Sequence, residues 1–312
     1  MTAADRGARG QGGLLLVHAH PDDESITTGG TIAHYRRRGI PVTVVTCTLG
    51  EEGEVIGDEW ARLVADQADQ LGGFRILELT RALGELAAAP PRFLGGAGRW
   101  RDSGMAGTPA ARNPRAFVKS GQEAVDALVQ ILLELRPDVV VGYDPRGGYG
   151  HPDHLRAHEI TMAAVDSASE WGWEVPKVYW TVTDGATLAM HTEALKRRTV
   201  DQLPGALPPG WRLPHAGELA CVPHESVTTT VDIADSLAAK RAALRAHATQ
   251  VTVAPSGREF ALSNNIAQPV LPEEHYILVR GQRGPVGADG QEHDLFAGLP
   301  GAPVSQSIEM RH

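Results

Sequence analysis

The stretch LLLVHAHPDDES, residues 14–25, decides the fold class of this chain. A short apolar run leads directly into a loop of histidine, proline and carboxylate residues. Apolar runs of this length, bounded by a turn, are typical of strands buried on both faces of a parallel sheet. Ligands of such sheets bind outside the carboxyl ends of the strands. We therefore predict a buried strand at Leu14–His18 and a functional loop immediately after it.

Strand-like and helix-like segments alternate along the first half of the chain. Apolar β-branched segments predict strands, and amphipathic segments predict helices. The predicted strands are Leu14–His18, Pro41–Thr48, Phe74–Leu77, Arg92–Leu94 and Val139–Gly142, and the predicted helices are Thr31–Tyr35, Glu59–Leu71, Gly121–Leu135 and His154–Ser169. This alternation predicts an α/β fold, with a Rossmann-like, mostly parallel sheet and helices on both faces.

The pattern changes near Gly172, where we place a domain boundary. Strand-like segments at Val178–Val182 and Val227–Ile233 are followed by an Ala-rich helical segment at Ala234–Ala248. We expect four parts. They are a flexible leader at 1–13, an α/β domain at 14–172, a smaller mixed α/β C-terminal domain at 173–280, and a loosely ordered Gly- and Pro-rich tail at 281–312.

The composition is that of an acidic globular protein, with 312 residues and a net charge of -9. Such a surface repels phosphate backbones and anionic lipids, which argues against nucleic acids and membranes as partners. No apolar run approaches the roughly 18 residues that a membrane span needs, and none of signal-peptide length precedes Leu14. Cys47 and Cys221 lie beside apolar residues, and predict buried free thiols in a reducing compartment. We therefore expect a cytoplasmic protein.

Two similar His-Pro-Asp loops carry the chemistry. In the first, residues 18–24, His20 and Asp23 are three positions apart, so a tight turn can aim both at one point. Imidazole and carboxylate groups are natural metal ligands. The second loop, GGYGHPDH at 147–154, offers a third ligand from His151 or His154. Three protein ligands leave a position open for water, as a catalytic metal site requires.

Each of these residues alone has a simpler interpretation. A single histidine is usually a hydrogen-bonded structural group, and an aspartate after proline is usually a helix N-cap. Two similar loops at two strand ends favour the metal site instead. Asp22 is then free to take a proton from an attacking water, while Tyr149 and the remaining loop histidine can stabilise charge on a carbonyl oxygen.

HAHPDDES and GGYGHPDH resemble the LmbE-like (PIG-L type) family of zinc-dependent N-deacetylases. Further stretches are similar to the branch of that family that deacetylates N-acetylglucosaminyl-inositol in mycothiol biosynthesis. These stretches are VTCTLGEEGEVIGD at 45–58, ADQLGG at 68–73, LGGAGRWRDSGMAGT at 94–108, YDPRGGYGHPDH at 143–154, AHATQV at 246–251 and ALSNN at 261–265. The resemblance runs from Leu14 to Phe296, and implies that 14–172 is the metal-binding catalytic domain and that 173–280 closes the pocket.

The resemblance also implies which residues bind the metal and which residue is the general base. His20, Asp23 and His154 would bind Zn²⁺, and the same donors would accept Fe²⁺. Asp22 would be the general base that activates the attacking water.

The remaining implied residues contact the substrate. Tyr149 would polarise the acetyl carbonyl, and His151, tuned by Asp153, would assist as an electrostatic stabiliser or acid. Three residues are implied to contact sugar hydroxyls: Arg75, Asp102 and Glu54. The expected partner is therefore a small amino-sugar inositol, and the sequence gives no indication of oligomeric state.

Three other functions stay open at this point. The sibling mycothiol S-conjugate amidase shares HAHPDDES, but carries Lys where this chain has Thr27 and Pro where it has Gly150, so the deacetylase is favoured. A non-haem iron oxygenase uses the same ligand types, but is usually built on a β-barrel. A non-catalytic sugar-binding protein with a structural metal would normally use four protein ligands. His247, in AHATQ, is either a helix-end cap or a gate over the pocket.

Overall fold

The computed structural model describes residues 12–200 and 207–300, so positions 1–11 of the predicted leader and 301–312 of the predicted tail lie outside the described residues. Within these ranges the chain forms ten strands and eight α-helices. The strands are β1 Leu14–His18, β2 Val42–Thr46, β3 Arg92–Phe93, β4 Val139–Tyr143, β5 Lys177–Val182, β6 Thr229–Asp232, β7 Thr252–Val253, β8 Glu259–Ala261, β9 Gln268–Pro269 and β10 Glu273–Arg280. The helices are α1 Asp23–Thr27, α2 Gly29–Arg37, α3 Leu71–Glu85, α4 Gln122–Leu135, α5 Gly147–Gly150, α6 Pro152–Glu170, α7 Gly185–Val200 and α8 Leu237–Ala246.

One seven-stranded sheet organises the fold, in the order β3-β2-β1-β4-β5-β10-β6. The five strands from β3 to β5 are parallel, and β10 pairs antiparallel with both β5 and β6. A second, three-stranded antiparallel sheet is formed by β7, β8 and β9. The predicted α/β class, with a mostly parallel sheet, is confirmed.

Strand β1 is buried on both faces, because its side chains alternate between two cores. Leu15 and Val17 pack in the core that includes α4 and α6, whereas Leu14 and Leu16 pack in the core that includes α2 and α3. Burying each such leucine contributes about 1.5–3 kcal/mol to stability. Because helices cover both faces of the sheet, its carboxyl edge remains accessible for polar loops.

The predicted helix at Glu59–Leu71 and the predicted strand at Phe74–Leu77 are wrong. A short 3₁₀ turn lies at Ala61–Leu63, and α3 begins at Leu71 and contains the supposed strand. A pair of glycines usually ends a helix, but the pair at 72 and 73 lies inside α3, where Gly72 serves close packing. A Cβ at Gly72 would lie 2.7 Å from Cγ of Glu51, so only glycine lets α3 approach the loop after β2 this closely.

The chain after 172 contributes β5, β6 and β10 to the main sheet, together with the small second sheet and α7, a helix that the sequence pattern did not predict. Residues of the predicted tail are buried: Leu295 and Phe296 pack in the same core as Tyr35. The division at 172 stays a prediction. Cys47 is buried as expected, whereas Cys221 is exposed beside a cavity described below. No helix in the described part of the chain has the length and apolarity for a membrane span.

Candidate active site

The two His-Pro-Asp loops meet at the carboxyl edge of the sheet. The first follows β1 and the second follows β4, and these strands are hydrogen-bonded neighbours. The ring centroid of His20 lies 4.6 Å from that of His151 and 5.3 Å from that of His154. All three histidines are buried. Adjacent parallel strands thus bring together residues that are more than a hundred positions apart.

His20, Asp23 and His154 form a compact set of possible metal donors. Asp23 Oδ2 lies 3.5 Å from His20 Nδ1, and Asp23 Oδ1 lies 3.4 Å from His154 Nε2. His154 Nε2 is buried and has no hydrogen-bond partner among the described residues. A buried ring nitrogen that lacks a hydrogen-bond partner and faces a carboxylate suits a cation, so these residues fit a divalent metal.

Neighbouring donors overlap with this set. In each of two groups of three residues, the donor atoms all lie within 4.8 Å of one another. The first group is His20, His151 and His154, and the second is His20, Asp102 and Asp153. His20 belongs to both groups. The site therefore offers more nitrogen and oxygen donors than a three-ligand metal needs, and the surplus groups are available for other roles.

The two adjacent aspartates have opposite electrostatic environments. Burial raises the pKa of Asp22 to about 6, and the nearby Arg75 guanidinium offsets only part of this effect. Burial also opposes ionisation of Asp23, but His154 and His20 outweigh it and hold the pKa of this carboxyl well below its usual range. The environment thus favours the ionised form of Asp23, while Asp22 can exchange a proton near neutral pH.

Asp22 occupies the N-cap position of α1, but its side chain makes no capping hydrogen bond. Its Oδ2 instead lies 3.1 Å from Arg75 Nη2. Arg75 also donates to the carbonyl oxygens of Pro21 and Gly50, the latter over 2.7 Å. Gly50 has a φ of +66°, which favours glycine, and a Cβ there would lie 2.1 Å from Arg75 Nη1. Arg75, implied to bind sugar, is thus also the partner of Asp22.

The other implied sugar contacts lie on the same side of the site. Asp102 is buried, accepts hydrogen bonds from Gly104 N over 2.8 Å and Glu52 N over 3.2 Å, and lies 3.5 Å from His20 Nε2. Glu51 Oε2 accepts from Asp102 N over 3.0 Å, which fixes this segment. Glu51 itself is buried. Glu54 is exposed and lines the cavity.

The second loop presents Tyr149 and His151. Tyr149 is 60% exposed, and its ring lies 4.9 Å from that of His154. Burial, helped by the charges of His20 and His154, lowers the pKa of His151 to about 3, so the ring is neutral. Its Nδ1 accepts from Asp153 N over 3.1 Å, which leaves the proton on Nε2. The Asp153 carboxylate itself contacts His20 Nε2 and Ser103 N, at 3.3 and 2.9 Å.

Tyr143 is a site residue that sequence reasoning missed. It is the last residue of β4, its hydroxyl reaches Asp23, and its ring stacks on His154. The available signal was its position at the carboxyl end of a strand, where functional residues of such sheets gather.

A cavity of about 680 Å³ opens over these groups, a size suited to a small-molecule ligand. Its walls include the site residues Asp22, Arg75, Asp102, Tyr149 and His154. The later part of the chain supplies further lining residues, among them Thr181, Cys221, Gln250, Phe260 and His275.

Comparison with known proteins places the chain in a family. Residues 15–165 match the family described as PIG-L, GlcNAc-PI de-N-acetylase. A protein of Nocardia farcinica (strain IFM 10152) is 79% identical over 290 residues, which cover 93% of this chain and 97% of that protein. This chain belongs to the PIG-L family. The predicted family resemblance is thereby confirmed.

Two relatives of this chain share one name. The Nocardia protein is a 1D-myo-inositol 2-acetamido-2-deoxy-alpha-D-glucopyranoside deacetylase. A protein of Rhodococcus erythropolis (strain PR4 / NBRC 100887) with the same name is 60% identical, covering 92% of this chain and 97% of that protein.

A solved structure outside this group of close relatives shares the fold. The 4-carboxy-2-hydroxymuconate hydratase GalB of Pseudomonas putida KT2440 superposes with a TM-score of 0.53 at 17% identity, covering 89% of this chain and 100% of that one. At this identity the likeness concerns the fold alone.

Proposed function

We propose that this protein removes the N-acetyl group from 1D-myo-inositol 2-acetamido-2-deoxy-α-D-glucopyranoside, giving acetate and glucosaminyl-inositol in mycothiol biosynthesis. The observation that carries the proposal is the 79% identity, across 93% of this chain, to a relative named for that deacetylation. The cluster of imidazoles and carboxylates at the base of the cavity supports metal-dependent amide hydrolysis. We also propose that the enzyme is cytoplasmic and that its partner is this small molecule.

We assign the metal to His20, Asp23 and His154. The ion would be Zn²⁺, with Fe²⁺ as the alternative that the same donors accept. The support is the proximity of the three donors and the unpartnered Nε2 of His154. When bound, such an ion supplies a Lewis acid that polarises the acetyl carbonyl and makes the attacking water more acidic.

Asp22 is the proposed general base. Its carboxylate takes a proton from water as the oxygen attacks the acetyl carbon. A pKa of about 6 keeps it ionised at neutral pH while leaving it basic enough to accept the proton. Arg75, 3.1 Å away, orients the carboxylate.

Tyr149 and His151 are the proposed donors to the developing negative charge. The Tyr149 hydroxyl would donate to the carbonyl oxygen, and His151 Nε2 would supply a second donor, to that oxygen or to the departing amine. The Asp153 carboxylate holds the neighbouring His20, and the Asp153 backbone N–H donates to His151 Nδ1, which caps the start of α6. We assign Arg75, Asp102 and Glu54 to the sugar hydroxyls, since carboxylate acceptors and forked guanidinium donors suit vicinal hydroxyl groups.

The test is amine release by the full-length, zinc-loaded protein, measured with an amine-reactive dye. One reaction contains the acetylated glucosaminyl-inositol and the other a mycothiol S-conjugate, each with and without a chelator. Faster chelator-sensitive release from the acetylated sugar is expected. Faster cleavage of the conjugate would instead make the protein the amidase, and release that the chelator does not affect would overturn the metal-dependent mechanism.

A further inference from the structure

Asp22 has a backbone conformation that residues other than glycine rarely adopt, with φ 127° and ψ −32°. Such strain persists only where surrounding contacts hold it, and it occurs most often at functional sites. Arg75 holds part of this turn, through the Pro21 carbonyl and the Asp22 carboxylate. The contact that holds the Asp22 amide comes from another residue, Glu24.

The buried Glu24 carboxylate connects Asp22 to a distant part of the chain. Its Oε2 accepts a hydrogen bond from Asp22 N over 3.0 Å. Its Oε1 accepts from Ser25 Oγ over 2.5 Å and from His247 Nε2 over 2.7 Å. Glu24 and His247 are both 0% exposed. A carboxylate cannot donate when ionised, so His247 Nε2 carries the proton of this contact.

His247 is itself held firmly. It follows the last residue of α8, and its carbonyl accepts from Gln250 N and Val251 N, over 2.9 and 2.8 Å. Two residues further on, Thr249 N and Oγ1 each donate to the Glu78 carboxylate of α3 over 2.8 Å. The turn after α8 therefore has a fixed position relative to α3. His247 does not line the cavity, although Asp22 does.

We propose that His247 is a positioning residue for the deacetylation, acting through Glu24 on the backbone of Asp22. The inference rests on the proposed role of Asp22 as base. Because Glu24 Oε1 is held by His247 and Ser25, Oε2 stays on the Asp22 amide and the strained turn keeps the base aimed into the cavity. Through His247, the part of the chain beyond residues 15–165 thereby contributes to catalysis by a residue that does not line the cavity.

The test compares His247→Leu with His247→Gln in the full-length, zinc-loaded enzyme. Leucine removes the donor, whereas the glutamine amide nitrogen replaces Nε2. We expect His247→Leu to lower kcat by about 10- to 100-fold, because small displacements of catalytic groups cost rates of this order, with KM and metal content unchanged. His247→Gln is expected to recover most of kcat. Leu128→Ala is the control for lost core packing, since this fully buried residue of α4 lies in a different core and does not line the cavity, and it should keep wild-type kcat.

Ser25→Ala is a milder second variant, which removes the other donor to Glu24 Oε1 and tests the same link should His247→Leu fail to fold. A decrease in kcat of about 3- to 10-fold at constant KM is expected. Wild-type kcat in folded His247→Leu, or in Ser25→Ala, would overturn the proposal, as would a His247→Gln enzyme as slow as the leucine variant. The kinetics of all variants are measured on whichever substrate the wild-type enzyme cleaves, the acetylated glucosaminyl-inositol or the mycothiol S-conjugate. A wild type inactive on both would instead refute the proposed function.

Discussion

The Tyr143 hydroxyl donates a hydrogen bond to Asp23 Oδ2 over 2.8 Å, while its ring stacks on that of His154 with 4.3 Å between centroids. The same hydroxyl accepts from Ala19 N over 3.0 Å. One side chain at the end of β4 thus orients a carboxylate of the first loop and an imidazole of the second. The two proposed ligands are fixed relative to each other by protein contacts.

Tyr143→Phe should weaken metal binding. The ring and its stacking remain, but Asp23 loses the donor that orients it, and loss of such an outer contact typically costs about 10- to 100-fold in metal affinity. Competition with a chromophoric zinc chelator measures the dissociation constant. Tyr179→Phe is the matched control, because it removes a buried hydroxyl that is bonded to Glu292 and Leu295 instead. Equal zinc affinity in Tyr143→Phe and wild type would contradict the assigned ligand set.

Asp22→Asn should abolish most turnover while retaining the metal. An amide cannot take a proton from water, and loss of a general base typically lowers kcat by about 10²- to 10⁴-fold. Steady-state kinetics and metal analysis are performed on the same preparation. Near-normal turnover in a metal-replete Asp22→Asn enzyme would show that Asp22 is not the general base.

The Asp184 carboxylate caps the N-terminus of α7, and this contact should make the free energy of unfolding depend on pH. Its carboxylate accepts from the backbone of Ala186 and Thr187 and from His224 Nδ1. Burial opposes ionisation, but the hydrogen bonds from His224 and Thr187 outweigh it and lower the pKa of Asp184 below its usual range. Since the folded pKa is the lower one, the stabilisation is complete above the unfolded value and is lost as pH falls through the folded value.

Asp184→Ala should therefore reduce the free energy of unfolding by about 1 kcal/mol at pH 7. Urea unfolding at a series of pH values from 7 down to 3 should show this difference shrinking at the acid end. Asp184→Asn is the control, since it keeps an acceptor oxygen without the charge and should show little of this pH dependence. A difference that stays constant across the series would argue against the ionised cap.

The Lys177 and Glu292 pair should hold the segment after β10 to the sheet. Lys177 Nζ lies 2.7 Å from Glu292 Oε1, and neither side chain is exposed. Lys177→Met leaves a buried carboxylate without its cation, which typically costs about 3–5 kcal/mol. Adding Glu292→Gln to that variant should recover part of the loss, as measured by urea unfolding. A Lys177→Met variant as stable as the wild type would show that the ion pair does not hold this segment to the sheet.

Local patterns predicted the elements that carry the site. The strands after which the loops follow, β1 and β4, lie within a residue of their predicted bounds, and so does the start of α4. The same reasoning failed at α3, because a glycine pair that usually ends a helix is here required by the contact between Gly72 and Glu51. Close packing between segments twenty positions apart leaves no local pattern.

The sequence by itself determined the α/β class, the two His-Pro-Asp loops and the family, because apolar periodicity and short motifs are local properties of the chain. Only the tertiary structure decided how the groups are paired: Arg75 with Asp22, Tyr143 with Asp23 and His154, and His247 with Glu24. Apart from Tyr143 and His154, which are close in sequence, these contacts join residues from about fifty to more than two hundred positions apart. Their partners are selected by strand order and helix packing, which no stretch of the sequence records.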